Sequence, residues 1–202
     1  MSKACSSLRL LLIVATLAST LAADEERVNT PVVAASETGY CYARSVPASG
    51  HGSDGSTTVY TVRSDGDHAI ATFDWYSAKL FLGCGGGPYG DVRGLSVVRL
   101  GPWARGHQAS SNDLAIAFYF GGKLVKQYST LDIAGAPDNV RASKSHYVVF
   151  QQIDGYRSRL SSTSGNVQTF GRTFEVITSV GNRIIFDPTT GAKLPDRPLE
   201  PR

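Results

Sequence analysis

The loop from Gly101 to Gln108 holds the residues of this chain that are best suited to contact a ligand. It places an aromatic ring, a cation, an imidazole and an amide within six residues, at Trp103, Arg105, His107 and Gln108. Trp103 is able to stack on a sugar ring or to anchor a protein partner, and Arg105 and Gln108 supply directional hydrogen bonds. The alternative is that Trp103 folds back as a lid over one end of the core. Because loops carry function more often than strands do, we expect these four residues to form a ligand-binding surface.

Trp75 and Tyr76 form a second aromatic pair, at the turn of an earlier predicted hairpin. The same two interpretations apply to them: the rings belong either to a contact surface or to a cover over the core. The sequence alone leaves both open.

Motifs for cofactors and calcium are incomplete. Gly85–Gly90 has the spacing G-x-G-x-x-G, but Pro88 interrupts it and no helical pattern follows. The dinucleotide mechanism therefore lacks the helix N-terminus that it needs. Ser64–Asp67 offers two carboxylates, whereas calcium takes about six to eight oxygen ligands, so this segment fits a β-turn better. We expect no cofactor.

Histidines, serines and glutamates also give no complete pattern for metal binding or catalysis. No H-x-H or H-E-x-x-H arrangement occurs among His51, His68, His107 and His146, so we expect no metal site. The G-x-S-x-G motif of serine hydrolases is absent. Glu175 is the single glutamate within a predicted strand, and a pair of carboxylates for glycoside hydrolysis depends on closeness in the fold, which the sequence does not show. The sequence favours a protein that is not an enzyme.

The N-terminal segment has the pattern of a signal peptide. Lys3 and Arg9 give a positive start, Leu10–Leu21 is an apolar run of twelve residues, and Thr20-Leu21-Ala22 offers a cleavage site. This run is too short for a membrane span, which takes about 20 apolar residues. We therefore predict a signal peptide over residues 1–22 and a secreted mature chain, extracellular or periplasmic, with no stable membrane span after cleavage.

The net charge of the mature chain argues against two classes of partner. Removal of residues 1–22 takes two basic residues and no acid, so the formal net charge falls from +3 to +1. A chain so close to neutral has no electrostatic case for binding nucleic acid or an anionic membrane. We expect instead an extracellular or envelope ligand, either a glycan or a protein.

Cysteine usage agrees with export. Of the three cysteines, Cys5 leaves with the signal peptide, and Cys41 and Cys84 stay in the mature chain. In an oxidising compartment this pair is expected to form a disulfide. It would close a loop of about 44 residues and stabilise the fold by about 4 kcal/mol in the chain-entropy model. The alternative is two free buried thiols.

The clearest structural signal is Asp113–Ile133, where Gly121-Gly122 separates two apolar arms. A glycine pair adopts the positive φ angles of a two-residue hairpin turn. Neither face of the first arm is polar, which predicts an inner strand covered on both sides, and the second arm, with Lys123 and Lys126, is predicted to lie nearer solvent. The predicted core residues on such arms are Ile116, Phe118, Ile177 and Ile185.

Counting similar runs gives about ten strands at short spacing and no capped helical pattern. The chain is therefore predicted to be all-β, an antiparallel β-sandwich of about ten strands built from hairpins. A faint echo between residues 67–71 and 113–117 leaves an open barrel or propeller-like sheet repeats as the alternative. We expect an extended or mobile segment at residues 23–39, a single β domain at 40–191 and a disordered Pro-rich tail at 192–202.

The function that these observations favour is a secreted, non-catalytic binding or surface-interaction module, whose ligand the sequence leaves open. One alternative is a small secreted hydrolase with residues that converge only in the fold, and another is a structural envelope protein. A deep cleft with two carboxylates or a Ser-His pair would favour the hydrolase. A surface with an exposed Trp103 would favour binding.

Overall fold

Three four-stranded antiparallel sheets and one three-stranded sheet make up the described part of the chain. The structure is a computed structural model, and it describes residues 26–85, 90–164 and 167–195. Strands dominate it, so the all-β prediction is confirmed. The predicted signal peptide lies outside the described residues.

The strands of each large sheet follow one another in chain order, and in one of these sheets a short strand that belongs to the small sheet comes between the second and third strands. Sheet I consists of β1 (Val32–Ala35), β2 (Cys41–Pro47), β3 (Gly55–Arg63) and β4 (Gly66–Phe73). Sheet II consists of β5 (Leu80–Cys84), β6 (Leu95–Leu100), β8 (Leu114–Phe120) and β9 (Lys123–Ser129). Sheet III consists of β12 (Phe150–Ser164), β13 (Val167–Thr178), β14 (Arg183–Phe186) and β15 (Lys193–Leu194). The small sheet has the order β10 (Arg141–Ala142), β11 (His146–Val148), β7 (Ala104–Arg105).

In the described residues, two short helices connect strands. A 3-10 helix spans Val92–Gly94, before β6. The helix α1 spans Thr130–Ala134 and follows β9 directly. Ser129 and Asp132 form a capping box at its start, because each side chain accepts a hydrogen bond from the backbone N–H of the other. These caps stabilise a helix that is too short to be stable by itself.

The strand β8 shows why the large sheets stack in three layers. Successive side chains of a strand point to opposite faces. Ala117 and Tyr119 pack towards sheet I, whereas Ile116 and Phe118 pack towards sheet III. Sheet II is therefore the middle layer, covered on both faces. The predicted inner strand is confirmed, but the two-layer sandwich is not, because a sandwich leaves one face of every sheet outside the core.

Two hydrophobic clusters hold the layers together. The cluster between sheets I and II contains Cys41, Ala43, Val59, Phe73, Trp75, Leu80, Leu82, Leu95, Val97, Ala117 and Tyr119. The cluster between sheets II and III includes Val98, Ile116, Phe118, Tyr147, Tyr156, Phe174, Val176 and Phe186. Burying a side chain as completely as Phe118, which is 0% exposed, contributes about 1.5–3 kcal/mol. Among the predicted core residues, Ile116, Phe118 and Ile185 are buried, and Ile177 is only partly buried.

The turn between β8 and β9 forms as predicted. Gly121 and Gly122 adopt φ angles of 59° and 77°, which glycine reaches without steric cost. Beyond this turn, β9 is exposed from Lys123 to Gln127 and is the edge strand of sheet II.

Cys41 and Cys84 lie at disulfide-bonding distance, with Cα atoms 6.4 Å apart. This separation is within the range that a disulfide requires. Because Cys41 begins β2 and Cys84 ends β5, the pair ties sheet I to sheet II.

Both ends of the described chain join the sheets. β1, inside the predicted extended or mobile segment, pairs with β2 from Val32 to Ala35. β15, inside the predicted tail, pairs with β14. Partners elsewhere in the chain supply these hydrogen bonds, so the local sequence pattern does not reveal them. The predicted echo does not mark a structural repeat, since residues 67–71 lie in β4, the fourth strand of sheet I, and residues 114–117 lie in β8, the third strand of sheet II.

Candidate ligand-binding cleft

A cleft of about 800 Å³ lies where the start of the described chain meets sheet II and the small sheet. Most of its wall comes from residues 26–30, 76–79, 100–104 and 146–150. Pockets that hold small organic ligands have volumes of about 300–1,000 Å³, so the cleft is large enough for such a ligand.

Trp103 lies half-buried in the wall of this cleft. The centroid of its ring is 3.7 Å from that of His146. β7 follows Trp103 directly and pairs with β11, with Arg105 opposite His146 and Ala104 opposite Tyr147. The strand pairing therefore holds the indole against the imidazole at the cleft.

Gly101 sets the path of the chain just before Trp103. A Cβ at this position would lie 1.7 Å from the carbonyl oxygen of Leu114 in β8. The Gly101 N–H donates a hydrogen bond to the carbonyl oxygen of Ala115, at 2.9 Å. Only glycine permits so close an approach of two backbones. The chain thus runs against β8 and then leaves it at Pro102 and Trp103, which line the cleft.

A second wall is the N-terminal strap, residues 26–31. The backbone N–H of Asn29 donates to the carbonyl oxygen of Gly50 at 2.7 Å, and its side-chain amide donates to that of Gly52 at 2.9 Å. The carboxylate of Glu26 accepts a hydrogen bond from Arg105 at 2.7 Å and lies 3.7 Å from Nδ1 of His51. The Glu26–Arg105 ion pair joins the strap to the predicted binding loop.

The deeper part of the lining comes from Tyr76 and Ser77, which are buried. The Tyr76 hydroxyl donates to the carbonyl oxygen of Thr30 at 3.0 Å. The Ser77 hydroxyl lies 2.8 Å from the carbonyl oxygen of Lys79 and 3.1 Å from that of Leu100, to which it donates. These bonds connect the strap, the segment after β4 and the end of β6.

The hydroxyl of Tyr147, a buried residue, also belongs to the lining of the cleft. The Tyr147 hydroxyl donates to Oδ2 of Asp113 at 2.6 Å and lies 2.8 Å from the hydroxyl of Thr130. Burial and then the hydrogen bond to Asp113 raise the pKa of Tyr147 above its usual range. The phenol is therefore neutral at physiological pH and serves as a fixed hydrogen-bond donor.

The structure separates the four residues predicted to form one binding surface. Trp103 lines the cleft, and Arg105 lies beside it in the ion pair with Glu26. His107 and Gln108 are exposed and are not among the residues that line the cleft in the described chain. The amide of Gln108 donates to Asp138 at 2.9 Å. Of the second aromatic pair, Trp75 belongs to the core and Tyr76 to the cleft.

Sequence reasoning missed the strap and the segment from His146 to Phe150. The strap follows no period of helix or strand, and its place depends on hydrogen bonds to residues 20 or more positions away. In the sequence, His146 stands out only as one of four histidines that lack a metal-binding arrangement. A polar residue next to β-branched and aromatic residues does not indicate which loop its ring will contact.

Within residues 26–85, 90–164 and 167–195, no group of three or more His, Cys, Asp or Glu residues is close enough to hold a metal ion. In the same residues, no helix combines the length and the apolar character needed to cross a membrane. Comparisons of the chain with protein-family models, with curated proteins and with solved structures found no match.

Proposed function

We propose that this chain is a secreted, non-catalytic binding module that holds an extracellular or envelope ligand in the cleft beside Trp103. The position of Trp103 supports the proposal most directly. A half-buried indole in a concave wall offers a large apolar contact area, and it loses little conformational freedom on binding because His146 already holds it.

Export is supported by two independent features. The first is the charged start, short apolar run and small residues of the N-terminal 22 positions. The second is the disulfide-distance pair Cys41 and Cys84, which suits an oxidising compartment.

The walls of the cleft are held in place before any ligand arrives. Gly101 runs against β8, the strap is bonded to residues 50 and 52, and Tyr76 bonds to Thr30. A preorganised site binds more tightly than a mobile one because less ordering accompanies binding. This rigidity is what a binding module needs.

The test is a comparison of three variants with the natural mature chain. Each protein is incubated with extracellular extract, separated from free small molecules, and examined by native mass spectrometry for retained ligand and on an array of envelope glycans. We expect Trp103→Ala to lose the ligand and Trp103→Phe to keep it. Tyr40→Ala is the matched control, because Tyr40 is an exposed aromatic residue outside the cleft.

Ligand retention by Trp103→Ala that equals the natural chain would place the site elsewhere and refute the proposal. Absence of any ligand from the natural chain in both assays would favour the structural envelope protein. Equal losses of retained ligand in Trp103→Ala and Tyr40→Ala would indicate nonspecific adsorption to exposed aromatic residues rather than binding in the cleft.

A second candidate function, a small hydrolase, is favoured by one observation. The hydroxyl oxygen of Ser143 lies 2.6 Å from Nδ1 of His146, and His146 lines the cleft. In acyl transfer the imidazole would take the hydroxyl proton as the serine oxygen bonds to an acyl carbon, and it would return that proton to the leaving group as the bond from the acyl carbon to this group breaks. However, Ser143 is not among the described residues that line the cleft.

The Ser143 hydroxyl also has a local role. It lies 3.1 Å from the carbonyl oxygen of His146, which accepts a 2.7 Å hydrogen bond from the Ser143 N–H as well. Such bonds are typical of serine in a tight turn, here the one between β10 and β11. We therefore rank the hydrolase second. Hydrolysis of p-nitrophenyl acetate that disappears in Ser143→Ala would reverse this order.

A further inference from the structure

The surface of the cleft is mostly apolar. Its apolar lining residues include Val28, Leu100, Trp103, Val149, Phe150 and Ile153. Such a lining favours a ligand with a hydrophobic body, because burying apolar area contributes about 25 cal/mol per Å².

Four of the hydroxyl groups at the cleft, those of Tyr76, Ser77, Thr130 and Tyr147, are already bonded within the protein. Tyr76 donates to Thr30, and Ser77 to the carbonyl oxygens described above. Tyr147 donates to Asp113, and Thr130 donates to the carbonyl oxygen of Ser110 at 2.9 Å. A glycan buried here would leave many of its own hydroxyls without partners, and each unpaired buried polar group costs about 1–3 kcal/mol. The lining is therefore poorly suited to a sugar.

Charge at the cleft is positive. Arg27 and Lys79 line it and are exposed, and neither has an ion pair among the described residues. The carboxylate of Glu26, which also lines the cleft, is neutralised by Arg105 at 2.7 Å. Two exposed cations thus lie in the walls of the cleft, one on the strap and one on residues 76–79, and the Lys79 ammonium lies 6.0 Å from the centroid of the Phe81 ring.

We infer that the ligand is a small amphipathic anion, with one apolar chain or ring body and one carboxylate-like group. This inference rests on the proposed binding function and specifies its ligand class. The apolar body lies against Trp103, Leu100 and Phe150, and the anionic group is bound by Arg27 and Lys79. A cation at an accessible rim pairs with a carboxylate through charge-assisted hydrogen bonds without paying the full cost of burial.

The experiment measures binding of decanoate and of uncharged decan-1-ol to the mature chain by isothermal titration calorimetry, with chitohexaose as the sugar probe. The double variant Arg27→Gln/Lys79→Gln removes both cations of the cleft. The control Arg141→Gln/Lys144→Gln removes two exposed cations that do not line it. Sedimentation with phosphatidylglycerol vesicles tests whether the chain binds an anionic lipid in a membrane rather than a free small anion.

We expect decanoate to bind, decan-1-ol to bind about tenfold more weakly, and the cleft double variant to lose about tenfold in decanoate affinity. The control double variant keeps its affinity, Trp103→Ala abolishes binding, and the chain does not sediment with vesicles. Equal binding of decanoate and decan-1-ol, or an unchanged cleft double variant, would overturn the anionic part of the inference. Sedimentation of the chain with vesicles, without binding of decanoate, would refute the inference that the ligand is a free small anion.

The failure of this inference is distinguishable from failure of the proposed function. Chitohexaose that binds in a Trp103-dependent way, without decanoate binding, would refute the ligand class and keep the binding function. Decanoate affinity that neither Trp103→Ala nor the cleft double variant changes would refute both.

Discussion

The two tryptophans of this chain occupy opposite kinds of environment. Trp75 is 6% exposed and is surrounded by Phe73 at 5.0 Å, Tyr119 at 5.4 Å and the Arg99 guanidinium at 4.7 Å, which come from three different strands. Trp103 is half-buried, with His146 on one side and the cleft beside it. The comparison shows that the role of an aromatic residue depends on how many elements surround it, which its own neighbours in sequence do not specify.

The largest expected effect is on the buried ring. Trp75→Ala should lower the free energy of unfolding by about 3–5 kcal/mol, because it removes a large core side chain and leaves a cavity. Trp103→Ala should lower it by less than about 2 kcal/mol, because that ring is already partly in solvent. Urea denaturation monitored by circular dichroism measures both. Equal losses of stability in the two variants would show that Trp103 is a core lid after all.

Cys41 and Cys84 lie at the same layer interface as Trp75. Cys41→Ser/Cys84→Ser should lower the free energy of unfolding by about 2–4 kcal/mol, since the unfolded chain regains the freedom of a long loop. Ligand binding should be unchanged in the folded variant, because neither cysteine lines the cleft. The natural chain treated with a reductant should match the double variant in urea. A natural chain indifferent to reductant would mean that the two thiols are not bonded.

The sequence was sufficient to predict features that rest on local patterns. The double-sided apolar pattern of β8 predicts an inner strand, and Gly121-Gly122 predicts its hairpin turn. The cysteine count of the chain without its predicted signal peptide is enough to predict that Cys41 and Cys84 lie at pairing distance. In each case the physical cause, which is burial, positive φ or cysteine count, is readable from a short segment or from the composition.

The cleft depends on contacts that no short segment encodes. The Glu26–Arg105 ion pair joins residues 79 positions apart, and the hydrogen bond from Tyr76 to Thr30 spans 46 positions. Trp103 and His146 meet because β7 pairs with β11, two strands of two and three residues. Strands this short show almost no sequence period. The composition of residues 101–108 therefore identified the loop, but nothing in the sequence identified the strap and the segment from His146 to Phe150 as its partners.

A smaller effect is expected where the chain approaches β8. Gly101→Ala places a methyl group 1.7 Å from a backbone oxygen, so the segment before Trp103 must move. Overpacking of this kind costs about 1–3 kcal/mol, and the displaced indole should weaken ligand binding as well. Gly50→Ala is the matched control near the strap, because its Cβ would contact only the Val28 side chain at 3.4 Å. Normal binding by Gly101→Ala would show that the position of Trp103 is not fixed by this contact.

The smallest effect concerns the ion pair that joins the strap to the loop. The Arg105 side chain is 73% exposed, so its pair with Glu26 should contribute only about 0.2–1 kcal/mol to stability. A double-mutant cycle with Glu26→Gln and Arg105→Gln measures this coupling, and it should decrease at high salt because the pair is partly screened. A coupling near zero would mean that the hydrogen bonds of Asn29 hold the strap without help. A coupling above about 2 kcal/mol would mean that this ion pair, rather than the hydrogen bonds of Asn29 alone, holds the strap at the cleft wall.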